Sequence, residues 1–122
     1  SLSNKIDKIY YPGLDNHPHH KLAKKQQLDP DGNYGFGAMI SIDVGSLEKA
    51  EKFVDNLNIF TLAESLGGVE SLICHPAKMT HASINEDNRN RLGITEGLLR
   101  LSIGVEDVED LIDDLSNALD AL

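Results

Sequence analysis

In two segments of the chain, apolar residues first recur at every second position and then at every third or fourth position. Each such change in period indicates a strand followed by a helix. Residues 36–44, FGAMISIDV, alternate in polarity and precede a helical pattern that begins after Ser46. Residues 98–103 alternate again and precede a helical pattern over residues 106–122. A strand with one apolar face and a helix with one apolar stripe bury these surfaces against each other, so the two units predict one shared α+β core.

Both helical patterns carry their apolar residues on one side. Ser46 is a suitable N-cap for the first helix. In the second, Glu106 and Asp107 occupy the first predicted turn, where acids complement the positive end of the helix dipole. The apolar positions of the second helix are Val108, Leu111, Ile112, Leu115, Ala118, Leu119 and Leu122. These positions predict the stripe that faces the core.

Shorter elements complete the order. The remaining predictions are a strand over 6–11, a helix over 19–27 after Pro18, extended segments over 59–63 and 71–74, and a polar helix over 85–92 that ends at Gly93. We find no repeat and no domain boundary in 122 residues. The sequence therefore predicts an α+β domain with a small, mainly antiparallel sheet and helices packed on one face.

Charge and composition limit the possible partners. The net charge is −9, and residues 106–120 hold seven acids and no Lys or Arg. We interpret these acids as the solvated side of one helix, and their charge argues against a nucleic-acid partner. No apolar run reaches the roughly 20 residues of a membrane span, and residues 1–25 lack the apolar core of a signal peptide. We predict that the single cysteine, Cys74, is a small buried residue. A lone cysteine also suits a reducing compartment, so we expect a cytoplasmic protein.

Familiar motifs of nucleotide and metal sites are absent from the sequence. It contains no GxGxxG, no GxxxxGK[ST] and no HExxH. The cluster HPHH places His17, His19 and His20 on a turn, where the imidazoles point apart. A metal needs three or four converging ligands, so we interpret these histidines as solvated or capping residues and expect no metal.

Arg100 is the first candidate for binding chemistry. Period two places it on one face of its strand with Leu98 and Ser102, and places Leu99 and Leu101 on the other face. The guanidinium could be solvated, could pair with a carboxylate of the chain, or could bind a ligand carboxylate through two hydrogen bonds. Spacing alone leaves these alternatives open.

The segment ESLGGVESL, residues 64–72, is the second candidate. Gly67 and Gly68 allow backbone angles closed to other residues, and Ser65 adds a hydroxyl and a backbone N–H next to that bend. Glu64 and Glu70 add carboxylates. The arrangement suits anion binding, whereas nucleophilic catalysis lacks a base beside the serine. A simple turn between two strands is the alternative interpretation.

Several longer segments carry a resemblance to a known family. They are YPGL (11–14), HPHHKLAKKQ (17–26), GFGAMISIDV (35–44), FTLAESLGGVESLICHPAKMTHAS (60–83) and GITEGLLRLSIGVEDVEDLIDDL (93–115). Together they resemble the Cys/Met-metabolism family of pyridoxal-phosphate enzymes, which includes cystathionine gamma-synthase, cystathionine beta-lyase, cystathionine gamma-lyase and methionine gamma-lyase. The match corresponds to the C-terminal part of those enzymes.

The resemblance implies a domain assignment. Residues 1–122 would be the C-terminal small domain of a fold-type I, aminotransferase-like enzyme. By this resemblance, the large domain, with the lysine that binds pyridoxal 5'-phosphate, would lie outside this chain. The full-length parent would be a carbon–sulfur lyase or gamma-synthase of transsulfuration that acts on a sulfur amino acid and assembles with its own large domain as a homo-oligomer, a tetramer in the family.

The resemblance also implies roles for single residues. Arg100 would hold the α-carboxylate of the substrate, helped by Ser65 and the backbone around Leu66. Glu64 would stand where the substrate enters, and Thr80 would lie near cofactor and substrate. No catalytic residue is expected within the chain, and the isolated chain would neither catalyse nor bind the cofactor stably. The alternative is a non-catalytic module for oligomerisation or for binding a small anion.

Overall fold

One sheet organises residues 4–79 and 81–122, which are the residues that the computed structural model describes. Its strands lie in the order β1-β2-β5-β4-β3. The elements are β1 Lys8–Tyr10, α1 His20–Gln26, β2 Met39–Asp43, α2 Leu47–Asp55, β3 Thr61–Leu62, β4 Leu72–Cys74, α3 Glu86–Arg91, β5 Leu98–Ser102 and α4 Val108–Asp120. All elements predicted from the sequence are present, and most of their ends differ by a few residues.

The middle strand, β5, pairs antiparallel with β2 on one side and with β4 on the other. Leu99 lies opposite Ile42, and Leu101 lies opposite Ile73. The pair β1–β2 is also antiparallel, and only the pair β3–β4 is parallel among the described strands. The prediction of a mainly antiparallel sheet is therefore confirmed.

Helices α2 and α4 cover one face of the sheet. Ala50 and Phe53 of α2 and Ala118 of α4 are fully buried in a cluster with Ile73 and Leu99. Helices α1 and α3 contribute no residue to this cluster. The predicted single covered face is confirmed, and two of the described helices form the cover. On the opposite face, the central strands contact loops, such as the one that contains Gly67.

Helix α4 differs from its prediction in its first residue and in which side chains face the core. It begins at Val108, because the Asp107 carboxylate accepts a hydrogen bond from the backbone N–H of Glu109 at 2.9 Å and caps it. Val108 and Ile112 are 62% and 50% exposed, so their predicted place in the core stripe is wrong. The packed side also includes the carboxylate of Asp114. No helix in the described part of the chain has the length and apolarity to cross a bilayer.

Asp114 is buried in α4, contrary to the prediction of a solvated acidic face. Its carboxylate accepts hydrogen bonds from the backbone N–H groups of Asn58 at 2.7 Å, Ile59 at 2.9 Å and Phe60 at 3.3 Å. Burial acts to raise the pKa of Asp114, but these donors outweigh burial and hold the pKa below its usual 3.8. Asp114 thereby fixes the segment that leads into β3.

Strand β2 begins three residues later than predicted. Gly37 has a φ of 79°, which interrupts the extended run before Met39. Phe36 consequently leaves the sheet and packs in an aromatic group with Tyr11, His20 and Tyr34, at centroid distances of 6.4, 5.6 and 6.1 Å. This group ties α1 and its flanking loops to the start of β2.

The substitution Asp114→Asn should destabilise the fold at neutral pH by about 1–3 kcal/mol, because an amide cannot accept all of these backbone bonds. The carboxylate's extra stabilisation is fully present above the unfolded pKa of 3.8 and is lost as the pH falls through the lower folded-state pKa. The difference between wild type and variant should therefore shrink at low pH.

Urea unfolding at pH 7 and at pH 3 measures this difference. Asp113→Asn, at the exposed neighbouring position, is the matched control and should leave stability nearly unchanged. An equal loss for Asp114→Asn at both pH values would contradict the assigned role of the ionised carboxylate.

Candidate anion-binding site

Arg100 stands in the middle of the sheet. On β5 it lies opposite Ser41 of β2 and Cys74 of β4. Leu99 and Leu101 point into the core, so Arg100 projects from the face that α2 and α4 do not cover. This assignment of faces agrees with the sequence prediction. The side chain is half-buried.

The guanidinium of Arg100 has no hydrogen bond or ion pair with any residue that the structure describes. The nearest acid on the same face by strand register is Asp43, and its carboxylate accepts bonds from Gly45 N at 2.8 Å and Thr95 Oγ1 at 2.7 Å. Strands β2, β5 and β4 contain no other cation. The donors of Arg100 are therefore available for an anion, which a guanidinium can bind through two parallel hydrogen bonds.

The double-glycine segment folds onto the same face as Arg100. The N–H of Gly67 donates to Ser102 Oγ at 2.8 Å, and Ser102 is two residues from Arg100 on β5. Alternate residues of a strand share a face and are about 7 Å apart. Gly67 has a φ of 86°, the left-handed conformation that its lack of a side chain permits. The bend predicted at this position is confirmed.

Three residues next to this bend keep their backbone donors free. The N–H groups of Glu64, Ser65 and Leu66 donate no hydrogen bond to another described residue. The bond from Ala63 N to Ile73 O at 2.9 Å holds one side of this run, and the bond from Gly67 holds the other. Ser65 is exposed and adds its hydroxyl. Consecutive backbone N–H groups that are free and fixed at both ends are suited to bind an anion.

Glu106 holds the far side of the loop, a role that sequence reasoning missed. Its carboxylate accepts from Ser71 N at 2.6 Å and from Ser71 Oγ at 2.8 Å. The backbone N–H of Ser71 is the main cause that lowers the pKa of Glu106, followed by the residue's own N–H and the Ser71 hydroxyl. Because 35 positions separate the partners, no local pattern could have indicated this contact.

The cysteine and the histidine cluster considered in the sequence contact other parts of the chain. Cys74 is 1% exposed, which confirms its interpretation as a small buried residue. His17 Nδ1 accepts from His19 N at 3.2 Å, and His20 lies between Pro12 O and the Asp15 carboxylate. The described residues contain no group of three or more His, Cys, Asp or Glu arranged for a metal ion. Thr80 lies outside the described residues.

Comparison with known proteins identifies the family. The sequence profile of the Cys/Met metabolism PLP-dependent enzymes matches residues 1–120. The chain belongs to this family. It is 55% identical over 115 residues to cystathionine gamma-lyase of Bacillus subtilis, which covers 94% of the chain and 29% of that enzyme. It is 52% identical over 118 residues to cystathionine beta-lyase of Lactococcus lactis, covering 97% and 30%.

Solved structures agree with this assignment. Cystathionine gamma-synthase from Xanthomonas oryzae in complex with cystathionine matches with a TM-score of 0.86 and 51% identity, over 98% of this chain and 30% of that one. Cystathionine gamma-lyase from Lactobacillus plantarum complexed with L-serine matches with a TM-score of 0.83 and 43% identity, over 97% and 29%. The chain thus spans about three tenths of the length of the relatives it matches.

The site residues fit a small carboxylate and do not fit the family's cofactor. Strands β2, β4 and β5 contain no lysine that could bind pyridoxal phosphate covalently. Their one cation is Arg100, beside a loop with free N–H groups. Such a set of donors can hold one carboxylate, whereas a phosphate and a pyridine ring need further partners.

The substitution Gly67→Ala should destabilise the fold by about 1–2 kcal/mol, because an alanine pays a backbone penalty at a positive φ. No atom lies within 4 Å of the added Cβ, so the loss would come from the backbone alone. Gly68→Ala is the matched control, since its φ is not positive and its nearest contact would be Glu70 N at 3.9 Å. Urea unfolding compares the two, and an equal effect would argue against the left-handed bend.

Proposed function

We propose that this chain is the C-terminal, substrate-carboxylate-binding domain of a pyridoxal-phosphate enzyme of sulfur amino-acid metabolism, a cystathionine lyase or cystathionine gamma-synthase. One observation carries the proposal: Arg100 is half-buried on the central strand without an acidic partner among the described residues, on the face where Gly67 is hydrogen-bonded. The names of the relatives, which include both lyases and a synthase, support the reaction class.

The proposed roles follow from the donors that each residue offers. Arg100 binds both oxygens of the substrate's α-carboxylate, and Ser65 and the N–H of Leu66 bind the same group from the loop. Glu64, exposed before the bend, lies where the substrate enters and acts on its side chain. For Thr80, the proposed position near cofactor and substrate is supported by the family resemblance alone.

The contribution of this chain to catalysis is orientation. A carboxylate held at two points by a rigid strand and an anchored loop restricts rotation of the substrate, which favours one reactive geometry. Pyridoxal phosphate supplies the electron sink in enzymes that use it. In this proposal a large domain outside the chain binds that cofactor, and the complete enzyme is a homo-oligomer.

Arg100→Gln in the full-length enzyme should lower kcat/KM for cystathionine about a hundredfold, the size expected when a charge-assisted contact in the transition state is lost. Arg100→Lys keeps the charge but not the two-point geometry, and should fall between Arg100→Gln and wild type. Keto-acid release measures the rate. Arg91→Lys, on the exposed side of α3, is the control and should behave as wild type.

Inhibitor binding tests the carboxylate role directly. We define the carboxylate preference as the ratio of inhibition constants of L-norleucinamide and L-norleucine, which differ only at the carboxylate. Arg100→Gln should reduce this ratio to near one. If the ratio in Arg100→Gln equals that of wild type, Arg100 does not hold the carboxylate and the proposed function is wrong.

The isolated chain should not retain the cofactor. After incubation with pyridoxal 5'-phosphate and dialysis, its absorbance spectrum should show no protein-bound band, because the central strands hold no lysine. The full-length enzyme under the same treatment should keep such a band. A stable band in the 122-residue chain would instead favour a cofactor site within this domain.

A further inference from the structure

We propose that Glu106 is a positioning residue for the carboxylate site, which it serves by holding the loop of residues 64–71 against strand β5 through Ser71. This inference rests on the proposed function and adds a residue to it. Glu106 lies just before helix α4 and is 35 positions from Ser71. It touches neither Arg100 nor the free N–H groups in the structure, so it would act through the loop.

Ser71 joins the end of the loop to the segment that follows β5 through three hydrogen bonds. It is completely buried, and its N–H and hydroxyl both donate to the Glu106 carboxylate, at 2.6 and 2.8 Å. Its Oγ also accepts from Gly104 N at 2.9 Å. If this buried serine rotated or withdrew, its N–H and hydroxyl would lose their shared acceptor. The end of the loop is therefore fixed to the segment that follows β5.

Close backbone contact adds a second restraint at the same place. Val105 N donates to Val69 O at 3.0 Å. A Cβ on Gly104 would lie 2.4 Å from Val69 O and 2.6 Å from the carbonyl carbon of Glu70. Only a glycine permits this approach, so the loop rests directly on the chain that continues from β5. The Glu106 carboxylate holds this contact closed.

The restraint lies close to the free donors. Gly67, bonded to Ser102, and Ser71, bonded to Glu106, are fixed points on either side of the bond between Val105 and Val69. The free N–H groups of Ser65 and Leu66 precede the first of them directly. If the second fixed point loosens, the bend can shift along β5, and the distance between these donors and Arg100 is no longer set. The carboxylate of a substrate would then lose its loop contacts while it keeps Arg100.

The test uses the full-length enzyme with Glu106→Gln. Glutamine keeps the size of the side chain, but its NH₂ group faces a Ser71 donor where a carboxylate oxygen accepted. We expect KM for cystathionine to rise and the carboxylate preference to fall about tenfold, which corresponds to the weaker end of charge-assisted bonds. The kcat at saturating substrate should change less. Glu109→Gln, exposed on α4, is the matched control and should leave these values unchanged.

A double-mutant cycle with Ser71→Ala separates positioning from general stability. Ser71→Ala should also lower the carboxylate preference, and the loss in the double variant should be smaller than the sum of the two single losses, because both changes remove the bond between the Ser71 hydroxyl and Glu106. Hydrogen exchange should become faster in the peptide that covers residues 64–70 of Glu106→Gln. These readouts concern folded enzyme, so a variant with a lower melting temperature stays informative.

The outcomes distinguish this inference from the proposed function. If Arg100→Gln abolishes the carboxylate preference while Glu106→Gln keeps it in full, the site is correct and Glu106 only stabilises the fold. If Arg100→Gln keeps the preference, the proposed function is wrong and the positioning role falls with it. Additive losses in the cycle would also overturn the role.

Discussion

Strand β5 is the element on which both the core and the candidate site depend. Its antiparallel pairing with β2 and β4 fixes the direction of every side chain along it. Leu99 and Leu101 therefore enter the core, and Arg100 and Ser102 face the loops. A shift of one residue in this register would bury the guanidinium and expose the leucines, at a cost of several kcal/mol. Core packing thus holds the arginine in place.

Two acids of the negatively charged C-terminal segment act as structural acceptors. Asp114 holds the segment that enters β3, and Glu106 holds the loop that follows it. In both cases backbone N–H groups lower the pKa of the carboxyl, so both are ionised at neutral pH. Loop N–H groups without a backbone acceptor need another partner, and a carboxylate from a rigid neighbouring segment is an effective one. The two ends of the candidate loop region are fixed in this way.

Similarity to enzymes with different reactions is consistent with a shared role. Relatives named as gamma-lyase, beta-lyase and gamma-synthase are 51–55% identical to this chain over nearly its whole length. All three names contain cystathionine, which is an amino acid with α-carboxylates. A domain that holds the carboxylate would suit enzymes of all three names, which is consistent with the proposed role in orientation.

Local patterns were enough for the order of elements, the apolar side of β5, the face of β5 that carries Arg100 and the glycine bend, and a resemblance of longer motifs indicated the family. Periodicity and turn residues report on neighbours within a few positions, and these features depend only on such neighbours. The contacts of Asp114 with Asn58 and of Glu106 with Ser71 join residues 56 and 35 positions apart. The exposure of Val108 and Ile112 likewise depends on what packs nearby. Only the path of the folded chain brings such partners together, so no pattern along the sequence could have indicated them.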